Sequence, residues 1–382
     1  MSPNEPQEKL RMAIFYTESG GTHLNTARAI NEALVEKSGE GCQVDFIDIW
    51  RSAPFPVRYL PKIFETIRQW KPFSRWHTAH SQNKLRVDVF NWFASGFLRK
   101  KVERILAQTY DVIVAVHPLC TAPVLHVLPE DSSPPFIVVI NDLATRNSFW
   151  FDEKATLTVV PTDQAMTYAT QSGLSWPKVK NLGVPVLSPY RQRTESRLDT
   201  CRRLNLDPEK KTIFLAGGKM GVGPLEQVAQ KVDETRNDIN LLILAGKNES
   251  LRQRLEGYNW VNAVKVFGYV DDLWNLMWLA DIMISKAGTG MLAEAINVGL
   301  PIILYHRVPY LEDANVSFMV QHGAGVWAPT PKMVVNALDA YMEKPDKLRE
   351  AKAACKRMAS PGAAQALAEL MIKHATGKYM SV

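Results

Sequence analysis

Three loops hold residues able to do chemistry. In the first, Glu18-Ser-Gly-Gly-Thr-His23, a histidine follows Gly20 and Gly21 by two positions. Glycines let backbone N–H groups approach a ligand, and a helix opening after them favours negative charge. An imidazole titrates near neutral pH, so His23 is a candidate general base for a hydroxyl proton; its plainer role is to help cap the helix. The second loop, Ala216-Gly-Gly-Lys-Met-Gly-Val-Gly223, offers backbone donors around Gly217 and Gly218. It lacks the Gly-Lys-Ser/Thr of a nucleoside triphosphate loop. The next strand ends Leu-Ala-Gly-Lys247, without the acid that a dinucleotide site wants.

The third loop, Ser285-Lys-Ala-Gly-Thr-Gly290, leads into an expected helix over Met291–Val298. Lys286, Gly288, Thr289 and Gly290 there suit a diphosphate. Glu294 is expected in the first turn, either accepting hydrogen bonds from ribose hydroxyls or lying favourably against the helix dipole. Glu312 and Asn315 are three apart, on one face of a helical turn, suited to adjacent sugar hydroxyls or to capping and solvation. His117 and the pair Asn141-Asp142 each close an apolar run. His77 and His80 lack a nearby third ligand, which argues against a metal site.

Strands must end at these loops. Met12–Tyr16, Val44–Ile49, Val112–Val116, Phe136–Ile140 and Leu157–Val160 read as one series. Thr212–Ala216, Leu241–Ala245, Val264–Val266, Asp281–Ser285 and Pro301–Tyr305 read as a second. Helical patterns alternate with them, as at Leu24, Ala27, Ile30 and Leu34, giving the βαβ rhythm of parallel sheets covered on both faces. Between the series, Val184–Arg203 carries Pro185, Pro189 and a polar, charged run, expected to be a link. Two doubly wound α/β domains follow, with ligands at the carboxyl ends of their strands. The expected division is 1–188, 189–344 and C-terminal helices over 345–382, which pack back on the first domain.

A chain of 382 residues supports two domains. Its four cysteines are far apart, which excludes a zinc ribbon and a disulfide framework. No apolar run approaches a membrane span, and residues 1–11 hold no signal core, so neither a transmembrane helix nor a signal peptide is expected. The net charge of +6 calls for an acidic partner. Residues 51–104 hold twelve basic residues against three acidic ones, among Trp70, Trp76, Trp92 and six phenylalanines. Such a mix, with Arg75, Arg99 and Lys100, suits an anionic bilayer surface. Stacking on single-stranded nucleic acid is the alternative, and a solvated basic face over core aromatics is the plain one.

Val116-His-Pro-Leu119, Gly217-Gly218 with Met220-Gly221, Ser285-Lys-Ala-Gly288, Ala293-Glu294-Ala295 and Gly299-Leu-Pro-Ile-Ile-Leu304, in this order, resemble the monogalactosyldiacylglycerol synthase type of lipid glycosyltransferase. More distantly, the chain is similar to the peptidoglycan N-acetylglucosaminyl transferase. The resemblance implies a GT-B fold of two facing Rossmann-like domains with an interdomain cleft. It implies an inverting transfer of a hexose from a UDP-sugar to diacylglycerol on the cytoplasmic side of a membrane, with no cofactor or metal in the nucleotide site and no nucleic acid partner. Under it, His23 is the base, with Glu18 where the family has Asp. Gly217, Gly218, Lys286, Gly288, Thr289 and Gly290 cradle the diphosphate, Glu294 meets the ribose, and Glu312 with Asn315 the sugar. Gly268 and Tyr269 edge the uracil pocket, and Gly20, Gly21, His117 and the 51–104 window serve acceptor and membrane. Lys219 interrupts the second glycine loop, and Leu311 replaces a hydrogen-bonding Gln, leaving the sugar open. The rivals are a nucleotide-sugar epimerase of the same fold and a catalytically silent membrane scaffold.

Overall fold

A computed structural model of the chain describes residues 9–17, 21–51, 53, 55, 57–67, 70–129, 133–271 and 273–377. It divides into two compact units, residues 1–187 with 360–382, and residues 188–359.

The first unit contains β1 (Leu10–Tyr16), α1 (Thr22–Ser38), β2 (Cys42–Asp48), α2 (Leu60–Ile67), α3 (Lys71–Ser81), α4 (Lys84–Leu106), β3 (Val112–Ala115) and α5 (Pro118–Leu125). It continues with β4 (Phe136–Val139), β5 (Leu157–Val160), α6 (Asp163–Gln171) and β6 (Val179–Asn181). The six strands are parallel, in the order β2-β1-β3-β4-β5-β6. Their alternating side chains feed two cores. Ala13 and Phe15 face α4 and α5, while Met12 and Ile14 face α1.

The second unit contains α7 (Arg197–Leu204), β7 (Lys211–Ala216), α8 (Leu225–Thr235), β8 (Ile239–Leu244), α9 (Glu249–Glu256), β9 (Ala263–Phe267) and α10 (Trp274–Leu279). After these come β10 (Ile282–Lys286), α11 (Thr289–Val298), β11 (Ile302–His306), α12 (Asp313–Gln321), β12 (Gly325–Trp327), α13 (Pro331–Met342) and α14 (Pro345–Met358). The last helix, α15 (Ala363–Ala375), belongs to the first unit. Here too the strands are parallel, ordered β12-β11-β10-β7-β8-β9. Read from the other edge and counted within the unit, this is the 3-2-1-4-5-6 order of a dinucleotide-binding fold, whereas the first sheet reverses between β1 and β3.

Two expectations are corrected. The polar run 184–203 is not all link: Ser196 caps α7 by accepting from the Asp199 N–H, and the helix occupies the run's end. The residues grouped as 345–382 are divided, α14 staying with the second unit and α15 with the first. Short edge strands β6 and β12, three residues each, were not anticipated.

On α15, Leu367, Ala368 and Met371 are fully buried in the core beside α1, and Gln365 bonds Glu36 at its edge. Leu367→Ala is therefore expected to destabilise the first unit by about 2–5 kcal/mol, against about 0.5 kcal/mol or less for Gln365→Ala. Urea denaturation checks this; equal effects would mean that α15 contributes nothing to that core.

Candidate functional site

In the first unit, β1, β3 and β4 are neighbours, so the loops after them meet at one edge of the sheet. They bring His23 together with His117 and Asn141, which lie more than ninety positions further along the chain. His23 is the second residue of α1, whose N-cap is Gly21. Its Nδ1 lies 2.7 Å from the carbonyl oxygen of Val116. A carbonyl only accepts, so Nδ1 carries the proton and donates it, and in the neutral ring Nε2 holds the lone pair. Asn141, wholly buried, sets its carboxamide nitrogen 3.0 Å from the same Nδ1 and 3.4 Å from the Thr26 hydroxyl.

His117 caps α5, its Nδ1 accepting the Leu119 N–H at 3.1 Å. Its ring stands edge-on to that of His23, with centroids 4.3 Å apart. Burial, and next the neighbouring His23, push the His117 pKa well below the ordinary histidine range, so this ring stays neutral. Trp150, fully buried, backs His23 at 6.2 Å and donates its indole N–H to Asp142. The arrangement leaves His23 oriented, with its basic nitrogen on the side away from Val116. Glu18 and Gly20 lie outside the described residues.

The second unit gathers its candidates where β7 and β10 lie side by side at the reversal of strand order. Lys286, the last residue of β10, threads between two glycines. A Cβ on Gly218 would come within 2.9 Å of its Cε, and one on Gly288 within 3.2 Å of its Nζ. Gly218 also has φ +71°, a left-handed backbone that excludes other residues on two counts. The Lys286 ammonium forms a short ion pair with Glu312, whose other oxygen accepts the Val308 N–H at 2.8 Å. Both partners are buried, Glu312 to 8% exposure. Asn315 donates from its amide nitrogen to the Ala287 carbonyl at 2.9 Å and the Thr289 hydroxyl at 3.1 Å. Glu312 and Asn315 are thus both tied to the loop at the end of β10, which sets aside the reading of solvated residues.

Gly288 is the N-cap of α11, and Thr289 and Gly290 open it, so the helix's first N–H groups point out of this loop. The helix begins two residues earlier than expected, which moves Glu294 into the second turn. With no acid in the first turn, the helix-dipole explanation for Glu294 loses its force. Gly268 and Tyr269 follow β9, two strands from β7. The loop after β8 joins the two places, Ala245 donating to Phe267 O and Lys247 to Lys219 O. Tyr269 is exposed, with the Lys247 ammonium 4.9 Å over its ring.

His306, at the end of β11, was not singled out from the sequence. It lies against the Gly223 backbone and, through burial and then Lys286, its pKa falls below the ordinary value. Its signal was its place at a strand end beside β10. Among the described residues, no cluster of three or more His, Cys, Asp or Glu could hold a metal ion.

The 51–104 window includes α2, α3 and most of α4 of the first unit. On α4, Val87, Asn91, Ala94, Leu98 and Val102 form the buried stripe. Leu85, Val89, Trp92, Phe93 and Phe97 recur at the same spacing on the opposite side and are exposed, Trp92 to 71%. Such a helix is apolar on two faces, only one of them covered. Trp70 and Trp76 on the preceding segment are also exposed, with Arg75 beside Trp76. Beyond the apolar patch lie Lys100 and Arg99, the latter paired with Glu103. In α3, burial, then His80, pushes the His77 pKa down to about 4, so His77 adds no charge to this surface at neutral pH.

The ion pair between Lys286 and Glu312 makes a testable prediction. Lys286→Met strands a buried carboxylate and is expected to lose about 3–5 kcal/mol of stability. Lys286→Met combined with Glu312→Gln should recover much of that loss. Denaturant titration of the four-member cycle is the check; additivity within about 0.5 kcal/mol would show that the two side chains are not coupled.

Residues 23–186 match the family model for monogalactosyldiacylglycerol (MGDG) synthase, and residues 212–367 match the glycosyltransferase family 28 C-terminal domain. The chloroplastic monogalactosyldiacylglycerol synthase of Spinacia oleracea is 29% identical over 351 residues, covering 88% of this chain and 67% of that protein. The crystal structure of Acinetobacter baumannii MurG superposes with a TM-score of 0.61 at 14% identity, over 96% of this chain and 99% of that one. The UDP-GlcNAc 2-epimerase of Neisseria meningitidis, bound to UDP-GlcNAc, gives 0.62 at 13% identity, over 95% and 99%. At such low identity the last two speak for the fold alone. The sequence matches agree on the activity: the chain is a glycosyltransferase of the GT-B fold, similar to the monogalactosyldiacylglycerol synthases.

Proposed function

We propose that this enzyme moves a hexose from a UDP-sugar to the free hydroxyl of diacylglycerol, while attached peripherally to a membrane surface. The observation that carries the reading is the orientation of His23, whose Nδ1–H is held by the Val116 carbonyl so that Nε2 is the basic nitrogen. In the reaction Nε2 takes the acceptor's hydroxyl proton. The acceptor oxygen then forms a bond to the anomeric carbon, and the bond from that carbon to the diphosphate breaks. UDP departs with the electron pair, and the sugar configuration inverts. The resulting imidazolium keeps its Nδ1–H bond to Val116, so the ring need not turn during the step. The first unit thus supplies the acceptor's base.

The second unit supplies the donor's cradle. The N–H groups at the start of α11 and the glycine loop after β7 suit the diphosphate. Lys286 can offset charge as it develops on the leaving UDP, with Glu312 fixing where its ammonium lies. Asn315 holds the same loop through Ala287 and Thr289. Glu294 on α11 is assigned to the ribose, Glu312 with Asn315 to the sugar, and Gly268 with Tyr269 to the edge of the uracil. The names of the curated relatives put galactose first among the sugars and diacylglycerol first among the acceptors.

Attachment rests on α3 and α4. Among the described residues no helix is long and apolar enough to cross a membrane. The exposed Trp92, Phe93 and Phe97 with Lys100 nearby suit a segment lying at headgroup depth.

The direct test supplies liposomes of diacylglycerol and anionic phospholipid, with UDP-galactose, UDP-glucose or UDP-N-acetylglucosamine in turn, and detects products by mass spectrometry. A hexosyl-diacylglycerol is the expected product. His23→Ala should lower kcat by roughly 10²–10⁴-fold with UDP affinity unchanged. Undiminished turnover in that variant rules out His23 as the base. An isomerised UDP-sugar formed without lipid would favour an epimerase.

For attachment, replacing Trp92, Phe93 and Phe97 together by Ser should weaken co-sedimentation with anionic vesicles by about a thousandfold or more, each ring contributing on the order of 1.5–3 kcal/mol when buried. Unaltered vesicle binding by a folded triple variant would refute docking through α4.

A further inference from the structure

The second unit contains a cavity of about 550 Å³ that the proposed reaction leaves unused. It lies at the amino ends of the strands, at the start of β7, whereas the glycine loops follow the carboxyl ends. One face of α14, the end of α13 and the start of β7 line it, and it opens to solvent. Tyr341 and Leu348 give it apolar walls, and Lys211, Arg349, Lys352 and Lys356 give it cationic ones.

The charges there do not balance. Asp281, just before β10, is the carboxylate at this place, and its Oδ2 also accepts the Thr212 N–H at 3.0 Å. Its Oδ1 lies 3.2 Å from the Lys211 ammonium and 3.7 Å from that of Lys352, while Oδ2 lies 3.3 Å from the Arg197 guanidinium. Three cations therefore share one negative charge. Arg349 is matched by Asp346 at 2.7 Å. Lys356 extends along Gly299 and, among the described residues, makes no ion pair.

Like charges held together in a partly desolvated recess repel one another more strongly than in water. Burial, opposed in part by Asp281 and reinforced by Lys211 and Arg197, pushes the Lys352 pKa down. A ligand bearing two negative charges would relieve this repulsion, and phosphate has the charge and the acceptor oxygens to meet several ammonium groups at once.

We propose that this cavity is a second ligand site, separate from the UDP-sugar cradle, which binds the phosphate group of a phosphomonoester. Lys211, Lys352 and Lys356 hold the phosphate, and Tyr341 and Leu348 pack the carbon portion. The phosphate belongs either to a soluble metabolite or to a lipid headgroup; the chemistry at the lysines is the same. Apolar walls beside a cationic cluster match a ligand with a charged end and a hydrocarbon end, which a bare inorganic anion lacks.

The test uses the full chain saturated with UDP, so that the diphosphate cradle is occupied. Glycerol 3-phosphate and dihexanoyl phosphatidic acid are titrated by calorimetry, the latter below its micelle concentration. Both should bind the native protein, and Lys352→Met should weaken that binding by about tenfold or more. Because Lys352 also meets Asp281, Lys356→Met serves as a second variant without a carboxylate partner, and the same direction is expected. Tighter binding of the phosphatidic acid identifies a lipid headgroup as the source, and equal binding identifies a soluble phosphomonoester. Identical affinities in native protein and both variants, or no binding at about 10 mM of either ligand, where even a millimolar site would be mostly filled, overturns the site.

Discussion

A parallel strand delivers the chain to the same edge of its sheet every time, and the return must cross the sheet's face. Both sheets here are wholly parallel, so every strand-to-helix loop of a unit emerges at one edge. Where the strand order reverses, neighbouring loops turn to opposite faces and leave a recess between them. In the first unit that place is between β1 and β3, and it holds His23 and His117. In the second it is between β7 and β10, and it holds the glycine loop, Lys286 and the start of α11. Chemistry-bearing residues more than ninety positions apart become neighbours through topology alone.

The two places solve different electrostatic problems. The first is built around two histidine rings. Buried His117 is held neutral, and His23 is oriented by the Val116 carbonyl, which does not titrate. A carboxylate in the position of Val116 O would raise the pKa of the ring, whereas a carbonyl fixes the tautomer without adding a charge. The second is built around charge. Lys286 and Glu312 pair out of water, at a cost of desolvation that a pair of apolar side chains would not carry. A buried pair of this kind is poor as a source of stability, but it fixes an ammonium between Gly218 and Gly288. Positioning, on this view, is what the pair contributes.

The fold was largely legible because parallel strands covered on both faces are continuous apolar runs, such as Val112–Val116 and Leu241–Ala245, which β3 and β8 largely occupy. Runs of three residues carry too little pattern, so β6 and β12 escaped. Helix starts were less certain: α11 opens at Thr289, where small residues hide the first turn, and this displaced Glu294 by a turn. In 184–203 the charged run disguised α7, whose cap Ser196 was its one local sign. Within the site, each loop announced itself by glycines or histidine, but partners did not. That Lys286 meets Glu312, or that Asn141 reaches His23, depends on which strands are adjacent, and no spacing along the chain encodes it. The cluster at Asp281 is hidden for the same reason, since Arg197, Lys211 and Lys352 come from three separate elements.

The basic, aromatic window shows what composition alone leaves out. Twelve cations and nine Trp and Phe side chains could form a solvated face over a local core. Periodicity along α4 separates these residues into two sets. One set, Val87, Asn91, Ala94, Leu98 and Val102, is enough to seat the helix on the sheet's core. A second apolar set facing the other way adds nothing to folding, and in water it is a liability. A lipid surface gives it a use, since the rings can enter the headgroup layer while Lys100 and its neighbours meet anionic lipid. Under the proposed function, the surface that supplies the diacylglycerol acceptor would also cover the five large apolar side chains exposed on this helix face.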